Sequence, residues 1–352
     1  MRIAIVNDMA TAVEVLRRSL AESPHEIAWI ARSGEEAVRM VQHDRPDMIL
    51  MDMVMPGMNG AETTRRIMEE SACAVLIVTA SIRINSSLVF EAIGNGALDA
   101  VRTPTLSGSN QTETTATLLG KISRIEKLLA GLDGPPTLPP PRNDTPPPAR
   151  RMPAGGPAPL IGVGASAGGP AALATLFAEL PRDFPAGFVV VQHLDHQFMD
   201  GLVEWLDEQT EMTVRAVEPG DQPTAGTVLI AAGTQHLMLG GNGLFKFSTE
   251  PKHLVHRPSI DVFFKSCARK PLENSTFLLL TGMRRDGAQG LLELRQAGCR
   301  TIAQDAATCA VYGMPKAAVE LGAAQKVLSI HDMPDELRRV YCASPVRAGG
   351  SR

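Results

Sequence analysis

Two groups of residues in this 352-residue chain have types and spacing suited to chemistry. The first centres on Gly164-Ala165-Ser166-Ala167-Gly168-Gly169-Pro170, where the apolar run Ile161 to Val163 enters a glycine-rich turn. A serine on a sharp strand-to-helix turn exposes its hydroxyl beside backbone N–H groups that can stabilise an oxyanion. Such a serine needs a base, and the base needs a group to orient it. His193 ends the run FVVVQH, and Asp286 follows STFLLLTG in the turn Met283-Arg284-Arg285-Asp286-Gly287. Ser166, His193 and Asp286 therefore each close an apolar run, the arrangement that a nucleophile, base and orienting acid require. Other readings of the turn stay open here. Gly162-x-Gly164-x-x-Ala167 loosely fits a dinucleotide fingerprint, although the next strand ends in Gln192-His193 instead of an acid. A P-loop is excluded by the missing Gly-Lys-Ser/Thr, and Ser166 could simply cap the helix that follows. His196, His236, His253, His256 and His331 have no comparable placement and read as surface or structural residues.

The second group lies near the start of the chain. Asn7-Asp8 closes the run Arg2 to Val6, Asp52 closes Asp47 to Met51, and Thr79 closes Ala74 to Val78. In a parallel sheet those ends share one edge. Two carboxylates held together repel, and the ordinary relief is a hard divalent cation bound through oxygen, most simply Mg²⁺. The same cation would neutralise a phosphoryl group on one of them. The loop Met53-Val54-Met55-Pro56-Gly57-Met58-Asn59-Gly60 adds specificity to this pattern.

The elements that must position these groups alternate in type. Strand-like runs at Arg2 to Val6, Ile27 to Ile30, Asp47 to Met51, Ala74 to Val78 and Ala97 to Val101 are separated by helical patterns such as Thr11 to Ala21, Gly34 to Gln42 and Ala61 to Glu70. That order predicts a doubly wound parallel α/β domain, because parallel neighbours need crossover helices. Asp133 to Pro159 holds 11 of the 26 prolines, which remove backbone donors and fix φ, so it reads as an extended linker. Beyond it, strands at Leu160 to Val163, Phe188 to Val191, Thr227 to Ala231, Thr276 to Leu280 and Thr301 to Ala303 alternate with helices opening near Gly169, Met199, Pro258, Gly287 and Pro315, with a hairpin around Gly240 to Gly243. Composition is that of a globular protein, 44% hydrophobic and 20% charged, with 34 Lys+Arg against 38 Asp+Glu. The near-balance of charge argues against a nucleic-acid or anionic-membrane partner. The five cysteines are scattered without metal-binding spacing, and no run is long enough to span a membrane, so a cytoplasmic location without a disulfide framework is expected.

On the motif ILMDMVMPGMNG with Asp8 and Thr79, residues 1–131 resemble a response-regulator receiver domain. On GVGASAGGP, VVQH and TGMRRDG, reinforced by RPSIDVFF, TIAQD and VYGMPKAA, residues 159–342 resemble the catalytic domain of the CheB chemotaxis methylesterases, with 132–158 as linker and 343–352 as tail. MRIAIVND and the threonine before Pro104 are most similar to the WspF branch of that family. The resemblance implies a flavodoxin-like receiver followed by a parallel α/β esterase, with Asp52 phosphorylated by a sensor histidine kinase of the CheA type. Asp8 and Asp52 would hold Mg²⁺, and Thr79 would follow the phosphoryl group. Ser166, His193 and Asp286 would hydrolyse glutamyl γ-methyl esters on a methyl-accepting receptor, and receptor glutamines are a further substrate to consider. That chemistry needs no cofactor. Gly164, Ala165, Ala167, Met283 and Arg284 are expected to line the site. Three positions depart from the family pattern: Asn7 replaces an acid, Thr103 replaces a lysine before Pro104, and Arg284 replaces a glycine. Removing a unit charge ~4 Å from the metal, worth ~4 kcal/mol at an effective dielectric of ~20 before screening, predicts weaker Mg²⁺ binding. An α/β-hydrolase using His331, and a regulator that binds receptors without catalysis, are the competing readings.

Overall fold

Met48–Met51 (MILM) and Ala74–Thr79 (AVLIVT) are buried along their whole length, as strands covered on both faces must be. In the computed structural model, which describes residues 1–80, 86–104, 111–130, 158–254, 257–270 and 272–342, these runs are central strands of the first of two α/β units. Its elements are β1 (Arg2–Val6), α1 (Ala10–Ala21), β2 (Glu26–Ala31), α2 (Gly34–His43), β3 (Met48–Met51), α3 (Gly60–Ser71), β4 (Ala74–Thr79), α4 (Ser86–Gly94), β5 (Asp99–Arg102) and α5 (Gln111–Ala130). The sheet order is β2-β1-β3-β4-β5 and every pair is parallel. The order reverses between β1 and β3, which opens a crevice at their carboxyl ends, where Asp8 and Asp52 stand. A glycine is required at position 60, where α3 opens, since a Cβ there would lie 2.1 Å from the Asp52 carbonyl oxygen.

The second unit comprises β6 (Leu160–Ala165), α6 (Gly169–Ala178), β7 (Gly187–Gln192), a 3-10 turn (His196–Phe198), α7 (Met199–Glu208), β8 (Thr213–Ala216), β9 (Thr227–Ile230), β10 (His236–Leu239), β11 (Phe245–Ser248), α8 (Ile260–Arg269), β12 (Thr276–Leu279), α9 (Ala288–Gln296), β13 (Arg300–Gln304), α10 (Met314–Glu320), β14 (Lys326–Leu328) and α11 (Met333–Tyr341). Seven strands form a parallel sheet ordered β14-β13-β12-β6-β7-β9-β8. β10 and β11 pair as the expected antiparallel hairpin. β8, β14 and α11 were not anticipated. The two strands are short edges with partly exposed residues, where hydrophobic signal is weakest, and α11 (MPDELRRVY) buries little beyond Met333, Pro334 and Leu337. β12, β6 and β7 are neighbours at the centre, so the loops carrying Asp286, Ser166 and His193 leave the sheet side by side.

The Pro-rich stretch expected as a linker, apart from residues 158 and 159, and the tail 343–352 lie outside the described residues. The two units nevertheless meet directly. Phe90 of α4 stacks on Trp205 of α7 with ring centroids 5.8 Å apart, and one apolar cluster runs through both units. The helices approach closely because α7 has a glycine at the contact: a Cβ on Gly201 would lie 2.4 Å from Ser86 Cβ and 3.3 Å from the Phe90 ring. Arg102, at the end of β5, donates from Nη2 to Gln197 Oε1 across the same interface.

Candidate active site

β6 runs directly into the turn that carries Ser166. The Ser166 amide donates to Thr281 O (3.0 Å), and the Gly169 amide donates back to Ser166 O (2.8 Å). The buried Gln192 side chain donates to both Ser166 O (2.8 Å) and His193 O (2.9 Å), tying the ends of β6 and β7 together. Thr281 Oγ1 donates to Ala167 O (2.9 Å) from the end of β12. Gly168 is the N-cap of α6, at φ +73°, and offers no side-chain cap, so the reading of Ser166 as a helix cap does not hold. Gly282 lets the β12 loop pass against the serine, since a Cβ there would come within 2.6 Å of Ser166 Cβ.

His193 follows β7 and bonds through Nε2 to Asp286 Oδ2 at 2.8 Å; their side chains are 6% and 16% exposed. Asp286 is held by more than the imidazole. It accepts from Ser259 Oγ (2.9 Å) and from the amides of Ile260 (2.9 Å) and Asp261 (3.0 Å), the first turn of α8. A helix N-terminus offers unpaired N–H groups and partial positive charge, so it is a natural seat for a carboxylate. Burial pushes the Asp286 pKa up, but the His193 bond and charge and the Asp261 and Ile260 amides outweigh it, holding the carboxyl well below the usual carboxylate range.

Ser166 and His193 line one cavity of about 230 Å³, together with Ala167, Met283 and Arg284. Gly164 and Ala165, expected beside them, are instead part of β6: Ala165 is fully buried, and a Cβ on Gly164 would meet Ile260 Cγ2 at 2.4 Å. The strand extends two residues further than its sequence pattern indicated, which moves both positions into the sheet. Arg284 adopts φ +66°, the left-handed region where a side chain is strained, and lies exposed at the cavity mouth. His331 is exposed after β14, away from the cavity, and offers nothing to Ser166. Ser259, Gln192 and Thr281 were not foreseen as site residues. The only cue in the sequence was the stretch RPSID, in which a serine precedes a helix.

The other carboxylates stand at the β1 and β3 ends of the first unit. Burial raises the Asp52 pKa to about 6, the amides of Met53 and Val54 oppose this, and Asp8 adds to it. Asp8 Oδ1 is buried without a hydrogen-bond partner. An orphaned carboxylate oxygen beside a second carboxylate whose ionised form is disfavoured is the donor set a Mg²⁺ ion suits, with water filling the remaining positions. Thr79 is fully buried at the end of β4, and its carbonyl accepts from the Thr103 amide (3.0 Å). Asn7 is buried and its Oδ1 accepts from the Met9 amide (2.8 Å), so its side chain shapes the β1–α1 turn. Arg102, the cation next to Thr103, is directed to Gln197 instead of Asp52. Among the described residues no cluster of three or more His, Cys, Asp or Glu side chains is placed to bind a metal, and no helix is long and apolar enough to cross a membrane.

The fold and both sites define a class: a receiver domain joined to a parallel α/β hydrolase with serine, histidine and aspartate at adjacent strand ends. Comparison with known proteins makes the class specific. Residues 161–337 match the CheB methylesterase family and residues 3–107 match the response regulator receiver domain. The chain is 49% identical to protein-glutamate methylesterase/protein-glutamine glutaminase 2 of Cupriavidus metallidurans, over 96% of this chain and 97% of that one. It is 48% identical to protein-glutamate methylesterase/protein-glutamine glutaminase 3 of Pseudomonas aeruginosa, over 97% and 100% of the two chains. The crystal structure of the Thermotoga maritima CheB methylesterase catalytic domain is 35% identical, covers 52% of this chain and 98% of its own, and superposes with a TM-score of 0.50. This chain belongs to the CheB methylesterase family, as a hydrolase with an N-terminal receiver.

Proposed function

We propose that Ser166, His193 and Asp286 hydrolyse glutamyl γ-methyl esters on a methyl-accepting receptor. Ser166 Oγ attacks the ester carbonyl and His193 takes its proton. Because Nε2 is committed to Asp286, Nδ1 is the nitrogen that serves the serine. The tetrahedral intermediate collapses to an acyl-enzyme as His193 returns the proton to methanol. Water, deprotonated by the same imidazole, then releases glutamate and Ser166. Since the Ser166 amide is spent on Thr281 O, the oxyanion is served by amides further round the two turns, at Ala167, Met283 and Arg284. The same acyl chemistry on a glutamine releases ammonia in place of methanol, the second activity in the relatives' names. No metal or cofactor is invoked for these steps.

The observation that carries the regulatory part is the composition of the cavity wall. Ile93, Leu98, Asp99, Lys121 and Arg124 of the receiver line the cavity that holds Ser166 and His193, so the receiver stands across the approach that a receptor helix about 10 Å across would use. Phosphorylation of Asp52 by a CheA-type sensor histidine kinase would shift the population toward an arrangement in which the receiver leaves that wall. Asp8 and Asp52 would hold the Mg²⁺, whose role is to offset the charge of the phosphoryl group. The setting we propose is the cytoplasm, and MRIAIVND with the threonine before Pro104 supports a WspF-like branch.

In a methanol-release assay on methylated receptor membranes, Ser166→Ala should reduce turnover by at least ~10³-fold with folding intact. Retained hydrolysis in that variant defeats the assignment. Deleting residues 1–132 should raise basal activity above that of the full chain, and equal activity would defeat the inhibitory role of the receiver.

A further inference from the structure

Behind the triad acid lies a second histidine that the proposed mechanism does not use. His236 opens β10, is fully buried, and has partners on both ring nitrogens. The Ser259 amide lies 3.1 Å from Nδ1 and the Pro251 carbonyl oxygen lies 3.2 Å from Nε2. An amide only donates and a carbonyl only accepts. Nδ1 must therefore be the acceptor and Nε2–H the donor, which fixes one neutral tautomer. Ser259 is the N-cap of α8, and its hydroxyl both accepts from the Val262 amide (3.4 Å) and donates to Asp286 Oδ1 (2.9 Å). The chain of contacts is continuous: Pro251, His236, Ser259, Asp286, His193.

From this arrangement we infer that His236 is a positioning residue for the proposed triad, fixing Ser259 and the first turn of α8 so that Asp286 meets His193 in line. The inference rests on the triad reading above. The physical need for it is specific. Three of the four donors on Asp286 belong to residues 259–261, so a small rotation of that segment turns the carboxylate away from the imidazole. The segment begins a helix and is preceded by Arg257-Pro258, so the Ser259 amide cannot be held by an earlier turn of the helix. His236 supplies the missing acceptor from a separate hairpin. A protonated His236 would set one donor against another, so the neutral form is part of the design.

Three substitutions separate the two bonds. In His236→Asn the side-chain oxygen can occupy the Nδ1 position and accept from Ser259. In His236→Gln the amide can reach the Nε2 position and donate to Pro251, but nothing accepts from Ser259. His236→Leu lacks both bonds. The readout is the pH dependence of Ser166 labelling by a fluorophosphonate probe on the full chain, with thermal stability measured in parallel. The expected result is labelling within about 3-fold of wild type for His236→Asn and a loss of ~10 to 100-fold for His236→Gln and His236→Leu. In the latter two the acid limb should also move to lower pH, because an imidazolium less well held by Asp286 loses its proton more readily. The other charged groups that line the cavity with His193, namely Asp99, Lys121, Arg124, Asp195, Arg257 and Arg284, are unchanged by these substitutions. Labelling losses that follow thermal stability in all three variants, with the acid limb unmoved, would overturn the inference in favour of plain packing. If His236→Leu and His236→Gln do not fold, His236→Asn decides: labelling within about 3-fold of wild type with the acid limb unmoved supports the Ser259 contact as the one that matters, and a loss of about tenfold or more at unchanged thermal stability overturns it. Ser166→Ala is the separate control. Labelling that persists there sinks the triad reading itself, whereas labelling lost there but unaffected by every His236 variant sinks only this inference.

Discussion

Asp286 and Asp52 occupy equivalent places, each partly buried at the carboxyl edge of a parallel sheet, yet their surroundings push them in opposite directions. Asp286 has four donors: an imidazole, a hydroxyl and two helix-terminal amides. These overcome the cost of burial and keep it ionised. Asp52 has the Met53 and Val54 amides and faces a second carboxylate, and its pKa rises to about 6. The first environment is complete without any further ligand, as suits a group that must hold an imidazole ring still. The second is incomplete, with an orphaned oxygen on Asp8 beside it, as would suit the cation and phosphoryl group proposed for it. A permanent site and a switchable one thus differ less in fold than in how many donors the adjoining loops deliver.

The sharpest way to break this contrast is to remove the charge that the first environment is built around. Asp286→Asn keeps the shape but gives the helix amides and Ser259 a weaker acceptor and can present an N–H where they need an oxygen. Turnover of methylated receptor should fall by ~10⁴-fold. A drop of less than tenfold would mean that Asp286 only anchors α8. A second experiment tests whether the two environments communicate through the contact between α4 and α7. Gly201→Leu inserts a side chain where a Cβ alone would collide with Ser86. It leaves every triad and receiver-site residue in place. Overpacking on the order of 1–3 kcal/mol should favour separation and raise unphosphorylated activity by roughly 5 to 100-fold. It should also blunt any further response to a small phosphoryl donor with Mg²⁺. Unchanged basal turnover would place the inhibitory contact elsewhere.

The contrast between the carboxylates was only half visible in the sequence. Asp52, Asp8, Ser166, His193 and Asp286 could be placed because each ends an apolar run, and strand ends in parallel sheets share an edge. What surrounds them could not. Ser259 is 27 residues from Asp286 in the chain and His236 a further 23, so the bonds between them depend on how a hairpin packs on a helix, which no local period encodes. Gly164 and Ala165 were misplaced for a related reason: a glycine-rich run does not announce where a strand stops and a turn begins. The contact of the receiver with the esterase rests on Gly201 and on Phe90 against Trp205, each of which reads in isolation as ordinary core.

A smaller effect tests the second environment directly. With a folded pKa of about 6 against ~3.9 in the unfolded chain, Asp52 binds its proton more tightly when folded, so ionising it costs stability. The penalty is absent below about pH 4, grows between about 4 and 6, and is complete above that. Asp52→Asn should therefore stabilise the metal-free protein at pH 8 by roughly 1–2 kcal/mol, after allowance for partial exposure, and leave it unchanged at pH 4. Mg²⁺ should narrow the gap at pH 8, because it relieves the same repulsion in the wild type. Equal stability of the two proteins across denaturant titrations from pH 4 to 8 would show Asp52 to be as well served as Asp286.

The smallest expected effect lies beside the well-anchored acid. Arg284 holds φ +66° two residues before Asp286, a conformation that costs an ordinary residue about 1 kcal/mol and a glycine almost nothing. Arg284→Gly should relieve that strain, and the more flexible unfolded chain of the glycine variant should cancel part of the gain, leaving a net stabilisation of about 0.5 kcal/mol. The functional change should run the other way. With Arg257 and Arg124, the guanidinium makes the cavity mouth cationic, so an ester flanked by carboxylates is drawn to it while a neutral one is not. KM for a methylated peptide rich in glutamate should therefore rise a few-fold in Arg284→Gly at low salt, with kcat unchanged, and the difference should fade as ionic strength increases. A fall in kcat with KM unchanged would instead show that the strained conformation at Arg284 is what aims the oxyanion-binding turn, so that the environment of Asp286 tolerates strain because the chemistry uses it.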